Sequence, residues 1–338
     1  MAVPAAEILK MRDRRQELLR LYAVGCNEDP EAIPTSPPRK IEPILPPPEP
    51  PTAEHVACPG WPFDAAEAKR RQSAAVVPAR TVDLGSGVRM EMLYIPAGDF
   101  VMGDKDGTPD ERPLARVRIE RPFWMSRFEI TNRQFRQFDP AHDSRLERVG
   151  FLHYSLERRG APMNGPAQPV VRVSWQEAMD FCRWLSQNTG ERFALPTEAQ
   201  WEYACRAGTA GPFACERTKP RVYLPDDQHT WAKPPTWTYY SHDVGPGPAN
   251  PWGLHDVHGN VAEWTLSTYR PYPYRDDDGR NDPSSNGRKV VRGGSFADRP
   301  QRCRSAFRLD YPAWQKVFNV GFRVAAPVED RTAHASKP

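Results

Sequence analysis

His255 and His258 stand in a His-x-x-His spacing, the one pair of imidazoles whose separation suits a transition metal. Cys26, Cys58 and Cys215, half of the six cysteines, show no recognisable metal spacing. The run 276–282, Asp-Asp-Asp-Gly-Arg-Asn-Asp, offers hard oxygens. An EF-hand would place glycine sixth and glutamate twelfth, so this spacing reads as a solvated turn instead. Tyr269, Tyr272 and Tyr274 are interleaved with Arg270 and Arg275. Aromatic rings and guanidinium groups so clustered serve either as binding anchors or as the core of a loop. No Gly-rich phosphate loop and no Gly-x-Ser-x-Gly elbow occurs.

The elements that must position these groups are few. Ser174 with Glu177 forms a capping box ahead of Ala178, Phe181, Cys182 and Leu185, with Gly190 as the stop. Thr197 with Gln200 forms a second, for a helix ending near Gly208, and Thr131 with Gln134 a third, for a short helix reaching Phe138. Asp64 is the expected N-cap of a helix through Gln72. Residues 90–102 read as strand or hairpin broken at 96–99, and 115–119 alternate at period two as a half-buried strand does. After Gly208 no helical period lasts, and prolines, glycines and tryptophans separate short apolar runs. A core built from loops and filled by aromatic rings follows.

Composition bounds the rest. Lys+Arg 46 against Asp+Glu 43 gives +3, too balanced for a surface that tracks nucleic acid. Charged residues at 26% and hydrophobic ones at 39% fit a globular chain. No run of 18 apolar residues is present, so no transmembrane helix is expected. Residues 1–28 read as an amphipathic helix that either docks a membrane or partner or packs on its own domain. Of the 38 prolines, ten fall in the 22 residues 30–51, so 29–60 read as an extended spacer. Residues 61–80 read as a short helix and connector, 81–330 as the main domain and 331–338 as a polar tail. The N-terminus lacks the apolar stretch of a secretory signal, which leaves the compartment open and leans to the cytoplasm.

Eight stretches in order bear a resemblance: 92–103, 123–135, 168–178, 195–208 (Leu-Pro-Thr-Glu-Ala-Gln-Trp-Glu-Tyr-Ala-Cys-Arg-Ala-Gly), 250–264 (ending Gly-Asn-Val-Ala-Glu-Trp), 291–296 (Val-Arg-Gly-Gly-Ser-Phe), 303–308 and 319–324. Together they resemble the formylglycine-generating enzyme, or sulfatase-modifying-factor, domain over roughly 240 residues. The resemblance implies an α+β, loop-rich fold, a variant of the C-type-lectin fold. Family members oxidise a sulfatase cysteine to formylglycine with molecular oxygen. They use two cysteines, five positions apart and just after Arg-Gly-Gly-Ser, that suit Cu(I) as a soft dithiolate.

Asp298 stands at the first of those positions and Cys303 at the second, although Cys303 also matches a structural cysteine of the family. Copper and formylglycine generation are therefore not expected. The resemblance further implies a disulfide between Cys205 and Cys303, with an upper stabilisation of about 4–5 kcal/mol for a loop of ~100 residues. A reduced chain with six thiols is the alternative. It implies calcium held by Asn260, the Val261 carbonyl and Glu263, for which hydrogen bonding to nearby backbone is the alternative. His255 and His258 fall within a structural frame of the family, which disfavours a catalytic metal. The wider superfamily's iron-dependent sulfoxide synthases need histidines that residues 1–80, holding only His55, do not supply.

Two functions follow. The first is a binding or scaffold module for a protein or glycan, with Arg292, Ser295, Arg299, Arg304, Tyr272 and Tyr274 as candidate contacts. The second is a metal-dependent oxidoreductase acting on a thiol through a rearranged site at Asp298.

Overall fold

The computed structural model describes residues 56–146, 162–214 and 240–328. These belong to one compact unit that begins at Pro51. The expected N-terminal helix and nearly all of the proline-rich spacer lie outside the described residues.

Local signals set the helices. α1 (Ala65–Gln72) starts where Asp64 accepts a hydrogen bond from the Glu67 amide. α2 (Asn132–Phe135), α3 (Trp175–Thr189) and α4 (Glu198–Arg206) each open on a complete capping box, at Thr131, Ser174 and Thr197. α3 stops at Gly190, whose φ of 75° is the left-handed conformation a helix end favours. α2 is shorter than its sequence suggests, because turns take over before Phe138.

Among the described residues, ten short strands make three sheets. β1 (Ala79–Gly85), β2 (Val88–Ile95), β5 (Phe123–Ser126) and β10 (Ala325–Pro327) pair antiparallel in the order β1-β2-β5-β10. β3 (Gly98–Met102) and β4 (Ala115–Ile119) form a ribbon. The stretch 90–102 is thus no hairpin on itself; its two halves join different sheets. β6 (Ala262–Thr268), β7 (Lys289–Arg292), β8 (Leu309–Tyr311) and β9 (Val320–Phe322) form the third sheet, with β6 and β9 parallel.

The side-chain alternation of a strand splits the interior in two. Met90 and Met92 of β2 face one core with Phe181 and Leu185 of α3 and Trp264 of β6. Leu93 and Ile95, with Phe123 and Met125 of β5, face a second core with Trp201 and Tyr203 of α4. Ala68 of α1 joins that second core, so the short helix is built into the domain. Each fully buried large side chain stabilises by about 1.5–3 kcal/mol. Buried indoles also keep a partner: Trp264 Nε1 donates to Val173 O at 3.0 Å and Trp252 Nε1 to Ala68 O at 3.1 Å.

Candidate functional site

β7 ends at Arg292 and delivers the chain through Gly293 and Gly294 to the segment 295–303. A Cβ on Gly294 would lie 2.7 Å from both Arg302 O and Cys303 Sγ, and its φ is +65°. Only glycine admits that approach. Ser295 Oγ donates to Asp298 Oδ2 at 2.5 Å and accepts from Asn319 Nδ2 at 2.7 Å. Asp298 Oδ1 faces Arg302 at 3.4 Å. Asp298 therefore ties the turn together where the family places a reactive thiol.

Cys303 is 1% exposed, and its sulfur faces Arg299 O at 3.7 Å. Burial, then the Asp298 carboxylate, pushes its pKa above the ordinary thiol range. A single protonated thiol beside an engaged hard carboxylate does not fit a Cu(I) dithiolate.

The expected Cys205–Cys303 disulfide is not formed; both are buried free thiols. The space beside Cys205 Sγ is occupied by Ser305 Oγ and His258 Nε2, each at 3.7 Å. Burial raises the Cys205 pKa to about 12. His258 Nδ1 donates to Cys303 O at 2.8 Å, while Nε2 accepts from the Ala214 amide at 2.9 Å. Both ring nitrogens are spent on backbone, so His258 is a pin between loops. Burial lowers its pKa to about 4. His255 Nδ1 likewise meets Gly247 O at 3.0 Å. The His-x-x-His spacing is structural.

Several candidate contacts prove to be interior. Arg292 is 1% exposed, with Nη1 donating to Glu198 Oε1 (3.2 Å) and Ala306 O (3.0 Å), and Nη2 to Ser305 O and Glu202. Tyr272 and Tyr274 are buried; Tyr272 stacks under Arg308, 4.1 Å from the ring centroid, and Tyr274 OH donates to Asp276 at 2.8 Å. The tyrosine-arginine loop is therefore a loop core. Ser295 is 2% exposed. Arg304 reaches back to Asp104 (2.7 Å) and Glu111 (2.6 Å), leaving Arg299 as the exposed member of the set.

The partners of these arginines are residues that sequence reasoning missed. Glu198, Glu202 and Arg206 recur every four residues on α4, and all are buried. That i, i+4, i+8 run of charge along one face of the helix was the available signal. Arg308 grips Glu198 through Nε at 2.6 Å and Nη2 at 3.1 Å, and Arg206 grips Glu202 and Gly103 O. Burial alone would raise the Glu202 pKa, but Arg206 and Arg292 reverse that and hold it below the ordinary range.

At the start of β6, Asn260, Val261 and Glu263 are brought together but not as three free oxygens. Asn260 Oδ1 accepts from the His242 amide at 3.0 Å, so this amide is not a spare ligand. Arg323 holds Glu263 bidentately at 2.7 Å through Nε and Nη2, and Trp201 Nε1 donates to it at 2.7 Å. A weakly bonded buried acid is next door. Glu129 is 1% exposed and has only long bonds of 3.3 Å, to the Val261 amide and the Asn260 side chain. Burial, then Asp256 and Glu263, raises its pKa well above the carboxylate range. Among the described residues no three His, Cys, Asp or Glu side chains converge as a metal site. A cation in this corner would need backbone carbonyls as well.

Residues 83–328 match the sulfatase-modifying factor enzyme 1-like domain, and the chain belongs to that family. It is 29% identical over 302 residues to the inactive C-alpha-formylglycine-generating enzyme 2 of Bos taurus, covering 75% of this chain and 93% of that relative. It is also 29% identical to the formylglycine-generating enzyme of Streptomyces coelicolor over 315 residues, covering 75% and 95%. PvdO from Pseudomonas aeruginosa superposes with a TM-score of 0.58 at 28% identity, over 75% of this chain and all of that one. These likenesses support the α+β, loop-rich fold expected from the sequence.

Proposed function

We propose that this chain is a sulfatase-modifying-factor-like binding module for a protein or glycan, without formylglycine-generating activity. The observation that carries this is the pair at the family's reactive segment: Asp298 hydrogen-bonded to Ser295, and Cys303 buried as a protonated thiol. A thiol-dependent oxidation needs a reachable thiolate, and this segment offers none. Incubating the protein with a sulfatase-motif peptide, copper and oxygen, and weighing the peptide by mass spectrometry, tests the proposal. Conversion of the peptide cysteine overturns it.

A structural calcium ion at the start of β6 is part of the same proposal. Glu129, Asp256 and Glu263 set three acids against the single guanidinium of Arg323. Glu129 and Glu263, with the Val261 carbonyl and further backbone carbonyls, would hold a hard cation there, and Asn260 would support the loop. When bound, it would supply charge neutralisation, not reactivity.

A further inference from the structure

The sequence holds two Asn-Gly pairs, Asn164-Gly165 and Asn286-Gly287. In such a pair the glycine amide nitrogen, unshielded by a Cβ, can reach the side-chain carbonyl carbon of the asparagine. The fold treats the two pairs in opposite ways. Asn164 is tied through both atoms of its amide: Nδ2 donates to Asp143 Oδ1 at 2.6 Å, and Oδ1 accepts from the Ser144 amide at 2.8 Å. The Gly165 amide donates to Gln168 Oε1 at 2.9 Å, and the Gly165 carbonyl accepts from Asn132 Nδ2 at 3.1 Å. Asn286 is exposed, and among the described residues its side chain has no hydrogen-bond partner. The Gly287 amide has only a long bond of 3.4 Å to Ser285 Oγ. Residues 285–288 lie in neither helix nor strand, just before β7. Gly287 is also irreplaceable: a Cβ there would lie 2.3 Å from Cγ2 of Thr268, a stiff, buried side chain of β6. The bulk that would hinder attack is therefore excluded by packing.

We propose that Asn286 is a site of spontaneous covalent modification, converting to aspartate and isoaspartate while Asn164 stays an amide. The Gly287 nitrogen bonds to Asn286 Cγ and the Cγ–Nδ2 bond breaks. The proton lost from Gly287 leaves with the side-chain nitrogen as ammonia. Water then opens the five-membered imide at either carbonyl, giving aspartate by one route and isoaspartate by the other. Water is the co-reactant, and no oxidant or reductant is needed. Ring closure requires the asparagine side chain and the glycine backbone to turn together. At Asn286 that turn breaks one long bond, whereas at Asn164 it breaks four. The chain is fixed again directly after the site. Arg288 O accepts from the Tyr269 amide at 2.7 Å, Arg288 pairs with Asp310, and Lys289 Nζ donates to Thr268 Oγ1 at 3.1 Å. The extra main-chain carbon of isoaspartate is therefore taken up by the loop before Arg288, and β7 keeps its register.

Peptide mapping of the full chain, aged in mildly alkaline buffer, tests this. Trypsin cuts after Arg280 and Arg288 and releases 281–288. Fragmentation then assigns an amide-to-acid mass change to Asn286 or to Asn281. An isoaspartate-specific carboxyl methyltransferase with a labelled methyl donor reads the iso form. In the folded chain Asn286 should convert at least tenfold faster than Asn164, with part of the product as isoaspartate. In concentrated urea, where neither pair keeps its hydrogen bonds, the two rates should converge. Asn286→Gln should leave 281–288 unchanged on ageing, and Asp143→Ala should speed conversion of Asn164. Equal rates in the folded chain overturn the assignment. So does an Asn286 that stays an amide while the urea-treated chain converts, or a tenfold difference that persists in urea.

Discussion

Glu263 and Arg323 are both fully buried, and each depends on the other to offset its lost hydration. Removing one partner leaves a bare ion in the interior, so Arg323→Met should destabilise by about 3–5 kcal/mol in urea unfolding. Adding Glu263→Gln should restore part of that loss, since the amide oxygen still accepts from Trp201. A double variant no more stable than the single one would contradict the pairing. The same logic separates Arg292 from a binding role. Its guanidinium lies against Glu198, Glu202 and two carbonyls inside the domain, which no partner reaches. The sequence marks Arg292 only by its place beside Gly-Gly-Ser, and nothing local distinguishes a buried arginine from a presented one. Asp298 was legible, because a missing cysteine needs no fold to be seen.

Helix starts were readable at the scale of elements because a capping box is complete within four residues. Ser174→Ala and Thr197→Ala should each cost about 1 kcal/mol, measured by thermal or urea unfolding. Sheet pairing was not readable, since β2 meets β5 some 30 residues on and β5 meets β10 some 200 residues on. Such partners are chosen by tertiary packing. In the β3–β4 ribbon Asp99 stands opposite Arg118 and is also held by Arg116. The Arg118 hydrogen bond above all, acting with Arg116 against the cost of burial, lowers the Asp99 pKa to about 2. A lowered carboxylate pKa stabilises above the unfolded value and fades as pH falls through the folded one. Asp99→Asn should therefore cost about 1 kcal/mol at neutral pH, after screening, and that cost should fade as pH falls through about 2. A cost independent of pH would show that the carboxylate charge is not what matters.

On the scale of the whole molecule, two cores share one sheet, and irregular loops are fixed by buried ions and backbone-bonded side chains. Loop-rich texture was visible in the scatter of proline, glycine and tryptophan after Gly208. The ionic framework beneath it was not, because its partners lie about 60 to 110 residues apart. If a calcium ion completes the corner at Glu129, EGTA should lower the melting temperature of the wild type and leave Glu129→Gln unaffected. No response in the wild type would remove the ion from the proposal. The central claim concerns the reactive segment, where an aspartate and a buried thiol replace a dithiolate. Mass spectrometry of a sulfatase-motif peptide, incubated with the full chain, copper and oxygen, tests it most directly. We predict a peptide whose cysteine mass is unchanged; conversion of that cysteine to formylglycine would contradict the claim.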